Sequence, residues 1–235
     1  MKYHNMNEIT NIALLVFDNA DYLDLFGPLE VFTLARYNCY FISTVEDKTS
    51  VSLQGVTIDF SEQKEIPEKF DLLLFPGGSG LNSVLADELF LEKIQKELHS
   101  GKYLNIASVC AGALILDAVG YLNGKHATTH WASKKILVAN KQISVVNKRV
   151  VKDGHLYTSE GITAGMDLSL SIVEDLNGVE MRMELEVLIE YKIESTSFKT
   201  KFNSPVYDNA KRSIEKMLEP ALKERERLLR KKREI

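Results

Sequence analysis

Residues 103–120 read YLNIASVCAGALILDAVG, and this stretch decides the fold. Residues 103–109 are mostly apolar and read as a buried strand. Cys110 follows at once, then the small Ala111 and Gly112. From 113 to 119 the chain reads as helix, closed by Gly120 as a C-cap. A strand, one residue on a tight turn and a helix make a nucleophile elbow, here with Cys as nucleophile and Ser108 where a glycine usually stands. A thiol at a helix N-terminus feels the positive end of the dipole, which favours thiolate. Neighbouring N–H groups there point at any anion that forms. The competing reading is a buried Cys packed as a small hydrophobe.

Outward from this stretch the same alternation recurs. Residues 12–17 form a short apolar strand, and 23–37 carry apolar residues at helical spacing, with the regular helix starting near Pro28. Residues 40–45 are a second strand candidate, and 50–60 read as a small hairpin around Gln54-Gly55. FDLLLF (70–75) is the clearest buried strand, stopping at Pro76-Gly77-Gly78. Residues 85–98 read as one amphipathic helix ended by Ser100-Gly101. Asp153-Gly154 marks another hairpin, and Ile162, Met166, Leu170 and Val173 share a helical face closed by Asn177-Gly178. Strands alternating with helices imply a mostly parallel sheet covered on both faces, an α/β class.

Three further stretches carry chemistry. Gly77, Gly78 and Gly80 follow the FDLLLF strand, where open α/β sheets bind ligands. The run nearly begins G-x-G-x-x-G, but the last position is Ser83, and no P-loop occurs. An oxyanion hole is the better reading, with the Gly78 and Ala111 amides as donors. Thr128-Thr129-His130-Trp131 lies twenty residues after Cys110, and a Cys–His pair is the minimum for thiol nucleophilic catalysis. His126 and His130 stand four apart without further ligands at metal spacing, so no metal is expected. Asp24 sits in an apolar stretch ahead of a helix. Its bland role is a dipole-compensating acid. Its functional role is a carboxyl coupled to the thiol, serving as general acid or base.

The chain has 235 residues with 29 Lys/Arg against 33 Asp/Glu, which argues against a nucleic-acid binder. The last 13 residues hold seven Lys/Arg and three Glu, leaving −8 on the first 222. A domain over 1–194 followed by a polar segment and basic helical extension over 195–235 is expected. Two cysteines make no disulfide framework and fit a reducing compartment. Cys39, among aromatics, reads as packing. The apolar run 12–17 is too short for a signal peptide or a membrane span, so a cytoplasmic location without membrane association is expected.

Taken together, LDLFGPLEVF (23–32), FDLLLFPGGSG (70–80), SVCAGALILDAVGYLNGKHATTHW (108–131) and YTSEGITAGMDLSL (157–170) resemble the DJ-1/PfpI (ThiJ-like) superfamily, within the class I glutamine-amidotransferase-like group. The resemblance runs from about Ile12 to Gly178 and is similar above all to the isonitrile hydratase-like branch and the sensor domains of AraC-type regulators. It implies a flavodoxin-like three-layer α/β/α sandwich. It also implies a cysteine-dependent enzyme, in which Cys110 is the nucleophile, Asp24 the proton relay and His130 its companion. Gly77, Gly78, Ala111 and Trp131 would surround a small-molecule substrate, with no cofactor. The residue after the nucleophile is often Thr in that branch, whereas Ala111 keeps the backbone donor and lacks the hydroxyl. Amidase, glyoxalase or deglycase activity and a non-enzymatic ligand or redox sensor are the alternatives the superfamily implies. The regulators append a helix-turn-helix domain of about 100 residues, longer than the 57 that follow Gly178 here. A homodimer is implied by analogy.

Overall fold

A computed structural model describes residues 10–45 and 48–191, with six helical residues between 216 and 227. The boundary near 194 and the polar segment after it lie outside the described residues. In chain order the elements are β1 (Asn11–Leu15), α1 (Tyr22–Leu34), β2 (Asn38–Ile42), β3 (Ser50–Leu53), β4 (Val56–Asp59), β5 (Phe70–Phe75), α2 (Leu81–Ala86), α3 (Glu88–His99), β6 (Tyr103–Ser108), α4 (Ala113–Ala118), β7 (His126–Ala127), α5 (Lys134–Ala139), β8 (Ser144–Val145), β9 (Val150–Asp153), β10 (Leu156–Ser159), α6 (Ala164–Asn177) and α7 (Val179–Leu188).

Six strands form one sheet in the order β2-β1-β5-β6-β10-β9. All its pairs are parallel except β9 with β10, the hairpin at Asp153-Gly154. The chain passes from β1 through α1 to β2 in one direction and from β5 through α2 and α3 to β6 in the other. Parallel crossovers are right-handed, so opposite directions place these helices on opposite faces. The packing agrees: α1 lies against α6, whereas α2 lies against α3 and α4. This is the expected flavodoxin-like sandwich. The inner strands are buried almost throughout, as a sheet covered on both sides requires. Among the described residues no helix is long and apolar enough to cross a membrane.

Two helices differ from expectation. α1 starts at Tyr22, well before Pro28, because Asp21 caps it by accepting from the Leu23 N–H. Pro28 therefore lies inside the helix and leaves the Asp24 carbonyl without its usual i+4 donor. The single helix expected over 85–98 is two, split at Asp87, whose side chain accepts from Phe90 N–H at 3.0 Å and caps α3.

Phe75 ends the central strand β5 with no exposed surface. Phe75→Ala is expected to cost about 3–5 kcal/mol, measured by chemical denaturation. A loss under 1 kcal/mol would mean that the core closes over the gap.

Candidate functional site

Register positions the site before any side chain does. Phe75 of β5 is opposite Ser108 of β6, which is opposite Thr158 of β10. Three loops therefore leave the sheet level with one another: Pro76-Gly77-Gly78, Val109-Cys110 and Ser159-Glu160-Gly161. The loop after β1 joins them, because β1 and β5 are neighbours whose connections run in opposite directions. That is the topological switch point, where crevices open at the carboxyl ends of strands. There the two loops touch backbone to backbone: Asp21 N–H donates to Gly77 O at 3.0 Å and Gly80 N–H to Asn19 O at 2.9 Å. Gly78 adopts φ +123°, and a Cβ on it would lie 2.5 Å from Asp21 N and 2.6 Å from Asn19 O. No side chain fits at that position.

Cys110 occupies the elbow with φ +58°, a left-handed conformation that is costly for a residue with a Cβ. Three backbone bonds hold it. Its N–H donates to Glu160 O at 3.0 Å, and its carbonyl accepts from Thr129 Oγ1 at 2.7 Å and from His130 N–H at 3.2 Å. A single 3₁₀ turn over Cys110–Gly112 precedes α4, so the helix behind the thiol is only six residues long. Gly112 passes so close to Phe75 O and Pro76 O that a Cβ there would collide with them.

Asp24 is wholly buried in the first turn of α1. Its Oδ2 accepts from Gly77 N–H at 2.8 Å. Its Oδ1 has no hydrogen-bond partner among the described residues. A point one bond off Gly77 Cα falls 2.8 Å from Ala111 N, 3.0 Å from Asp24 Oδ2 and 3.2 Å from Cys110 Cβ, so carboxyl, thiol and turn amide meet around this glycine. Gly77→Ala would insert a methyl there and wedge acid and thiol apart. Any turnover that depends on this pair is expected to fall about 100-fold, the scale of an ångström's misplacement, in a steady-state assay; an unchanged rate would show that this spacing does not matter.

Burial pushes the Asp24 carboxyl up to about 7, reinforced by the Asp21 charge and opposed by the Gly77 amide and the Cys110 thiol as donors. The Cys110 thiol is pushed well above its ordinary range, first by burial and then by the Asp24 charge. The turn amides of Ala111 and Ile162 act the other way, stabilising thiolate. The sequence expectation that the helix start favours thiolate is thus correct for the amides and outweighed by desolvation and Asp24. Acid and thiol form one coupled pair. With Asp24 protonated, its charge no longer opposes the thiolate, and the two amides act against burial and the Asp21 charge.

His130 is half-buried, and its backbone is tied to Cys110. Its ring packs over Gly161, where a Cβ would collide with the imidazole, and lies tilted against Trp131 with centroids 5.3 Å apart. Burial lowers it to about 4, so it is neutral. Beside it Lys134 Nζ bonds Glu160 Oε1 at 2.5 Å and Asn147 Oδ1 at 2.7 Å. Trp131 is half-buried at the same place. The other cysteine, Cys39, lies in β2 with its thiol pushed up to about 12 by burial.

Sequence reasoning gave no role at the site to Glu160, Ile162, Thr129 or Asp21. The rule that drew attention to the loop after β5 applies equally to the loop after β10, and an Asp three residues ahead of Asp24 is a capping signal.

The match to the DJ-1/PfpI family model covers residues 10–175. The chain is 34% identical to an isonitrile hydratase of Pseudomonas putida over 183 residues, 77% of this chain and 78% of that protein. It is 31% identical to a deglycase of Pyrococcus horikoshii over 121 residues, 51% of this chain and 71% of that protein. Among solved structures, a ThiJ/PfpI family protein from Pseudomonas syringae superposes with TM-score 0.74 at 25% identity, covering 94% of this chain and 90% of that one. DJ-1β of Drosophila melanogaster superposes with TM-score 0.65 at 25% identity, over 78% and 98%. With the family's model matched from β1 to α6 and an elbow cysteine set beside a buried acid, this chain belongs to the DJ-1/PfpI family.

Proposed function

We propose that the chain is a cysteine-dependent enzyme that hydrates an isonitrile to an N-substituted formamide. The observation that carries this reading is the buried Asp24 carboxyl beside the Cys110 thiol, with one carboxyl oxygen lacking a hydrogen-bond partner among the described residues. A buried oxygen in that state suits a proton in transit. The similarity to the Pseudomonas putida isonitrile hydratase supports the choice of substrate class.

The Cys110 sulfur bonds to the terminal carbon of the isonitrile. The proton that it shares with Asp24 goes to the same carbon, giving a thioformimidate. Water then adds across the C=N bond: its oxygen joins the carbon, and Asp24 passes one of its protons to nitrogen. As the C–S bond breaks, the hydroxyl becomes the formyl oxygen and returns its proton to the pair. The Gly78 and Ala111 amides hold negative charge developing on that oxygen. His130 steadies the elbow through its backbone bond, and Trp131 lines the apolar mouth. A homodimer forms part of this reading, checked by light scattering on the purified chain.

The test is incubation of the protein with an alkyl isonitrile, following loss of the isonitrile infrared band and growth of the formyl proton signal. Catalytic conversion supports the reading, and its absence overturns it. The deglycase relative supports a second reading on the same residues, in which the thiol attacks an aldehyde-derived adduct. Turnover of such adducts without turnover of isonitriles would select it.

A further inference from the structure

A cavity of about 700 Å³ opens on the α3 face of the sheet, apart from the cysteine. Its walls are α3, residues 41–45 at the end of β2 and just after it, and residues 60–66 after β4. Lys102 and Tyr103, at the start of β6, also line it, whereas Cys110 lies beyond the end of that strand, about 23 Å along at the usual rise per residue. The volume is within the range of small-molecule sites, about 300–1,000 Å³.

The lining divides by chemistry. The floor is apolar: Leu15, Ile42 and Leu73, which share one face of the sheet, and Ile94 of α3. The rim carries Lys48, Lys64, Lys93, Lys96 and Lys102 against Glu65 and Glu97. Lys48 is satisfied by Asp18 at 2.8 Å, and Glu97 accepts from the Tyr103 hydroxyl at 2.8 Å. The other lysines pair with no acid among the described residues. Lys64 donates to Asn38 Oδ1 at 2.8 Å and Lys93 to Thr44 O at 3.0 Å, both neutral oxygens. Lys102 lies over the Phe70 and Tyr103 rings. Lys96 pairs with no acid among the described residues. Glu46 and Asp47, next in sequence to lining residues, lie outside the described ones.

We infer that this cavity binds a small amphipathic anion, an apolar chain or ring carrying one carboxylate, with its body on the apolar floor and its head among Lys64, Lys93, Lys96 and Lys102. An apolar floor alone would take neutral molecules as well, whereas four ammonium groups without carboxylate partners among the described residues select a negative head. Inorganic anions would gain nothing from the floor.

The test is calorimetric titration of the full chain with decanoate below its micelle concentration. Decanol, decyltrimethylammonium, acetate and phosphate are titrated alongside. One decanoate site is expected, with each comparator at least about tenfold weaker. The charge-reversing pair Lys93→Glu with Lys96→Glu, both on α3 at the rim of the cavity, is expected to weaken decanoate at least about tenfold and to bring decyltrimethylammonium above it. The milder Lys93→Met with Lys96→Met should weaken decanoate without favouring the cation, and thermal melting confirms that both variants fold. The inference is overturned if decanoate fails to bind, binds no better than decanol or acetate, or binds both lysine variants as it binds the parent.

Discussion

Cys110→Ala is expected to lower turnover by about 10⁴-fold or more, the scale seen when a covalent nucleophile is removed. In the proposed mechanism the sulfur is the atom that bonds to substrate, and alanine offers nothing in its place. The backbone bonds that hold the elbow come from main-chain atoms of Cys110, to Glu160, Thr129 and His130, so they survive the change. Alanine meets the left-handed φ of +58° with a Cβ just as cysteine does, so the strain is unaltered. Stability is therefore expected to stay close to that of the parent, which separates a chemical loss from a folding loss. Infrared loss of isonitrile measures the rate, and melting measures the fold. If the alanine variant kept full turnover, the covalent mechanism would be wrong. Cys110→Ser should fall nearly as far, because a hydroxyl among the same groups is a much poorer nucleophile at neutral pH.

Asp24→Asn is expected to lower turnover by about 10²–10⁴-fold, the usual contribution of a positioned acid–base group. Asparagine can still accept from Gly77 N–H but cannot carry the shared proton. The parent's pH–rate profile should fall on its alkaline side as the pair loses that proton, and this limb should change in the variant. Stability moves the other way. Burial raises the carboxyl from its ordinary 3.8 to about 7 in the folded chain. Between those values the folded state binds the proton more tightly than the unfolded state. The stability tied to that proton is present in full below about pH 4 and is lost as pH rises through 7. Asparagine never ionises and escapes this loss. The variant should thus be more stable than the parent at pH 8 by about 2–4 kcal/mol, with the difference shrinking toward pH 4. Denaturant titrations at the two pH values decide it. A variant less stable than the parent at pH 8 would show that the ionised carboxyl is held favourably and that the coupled-pair account is mistaken. The pairing of lower activity with higher stability is what a strained functional group produces.

Some elements needed no tertiary information. FDLLLF is a strand over the residues expected, because a six-residue apolar run bounded by Pro-Gly-Gly has no other stable place than the centre of a covered sheet. The hairpins at Gln54-Gly55 and Asp153-Gly154 follow from glycines that reach positive φ, +92° and +61°. The division of α2 from α3 was hidden because Asp87 falls within an unbroken apolar rhythm. Only the capping bond to Phe90 reveals it as a boundary.

The site divides in the same way. Cys110, Gly77 and Asp24 stood out because their chemistry is local: a residue type, a turn and a helix start. The amide of Ile162, the carbonyl of Glu160 and the hydroxyl of Thr129 serve through main-chain or generic polar atoms, which carry no signature in residue type. They reach the elbow only because register sets Phe75, Ser108 and Thr158 in one row. The sequence by itself determined the candidate residues of the proposed site and that a parallel sheet would present them, since strand period, glycine conformation and apolar runs are properties of short stretches. Tertiary structure alone decided the burial that couples Asp24 to Cys110 and the lysine rim of the cavity beside α3. Both depend on exclusion of water and on distances between residues far apart in the chain, which a local pattern does not contain.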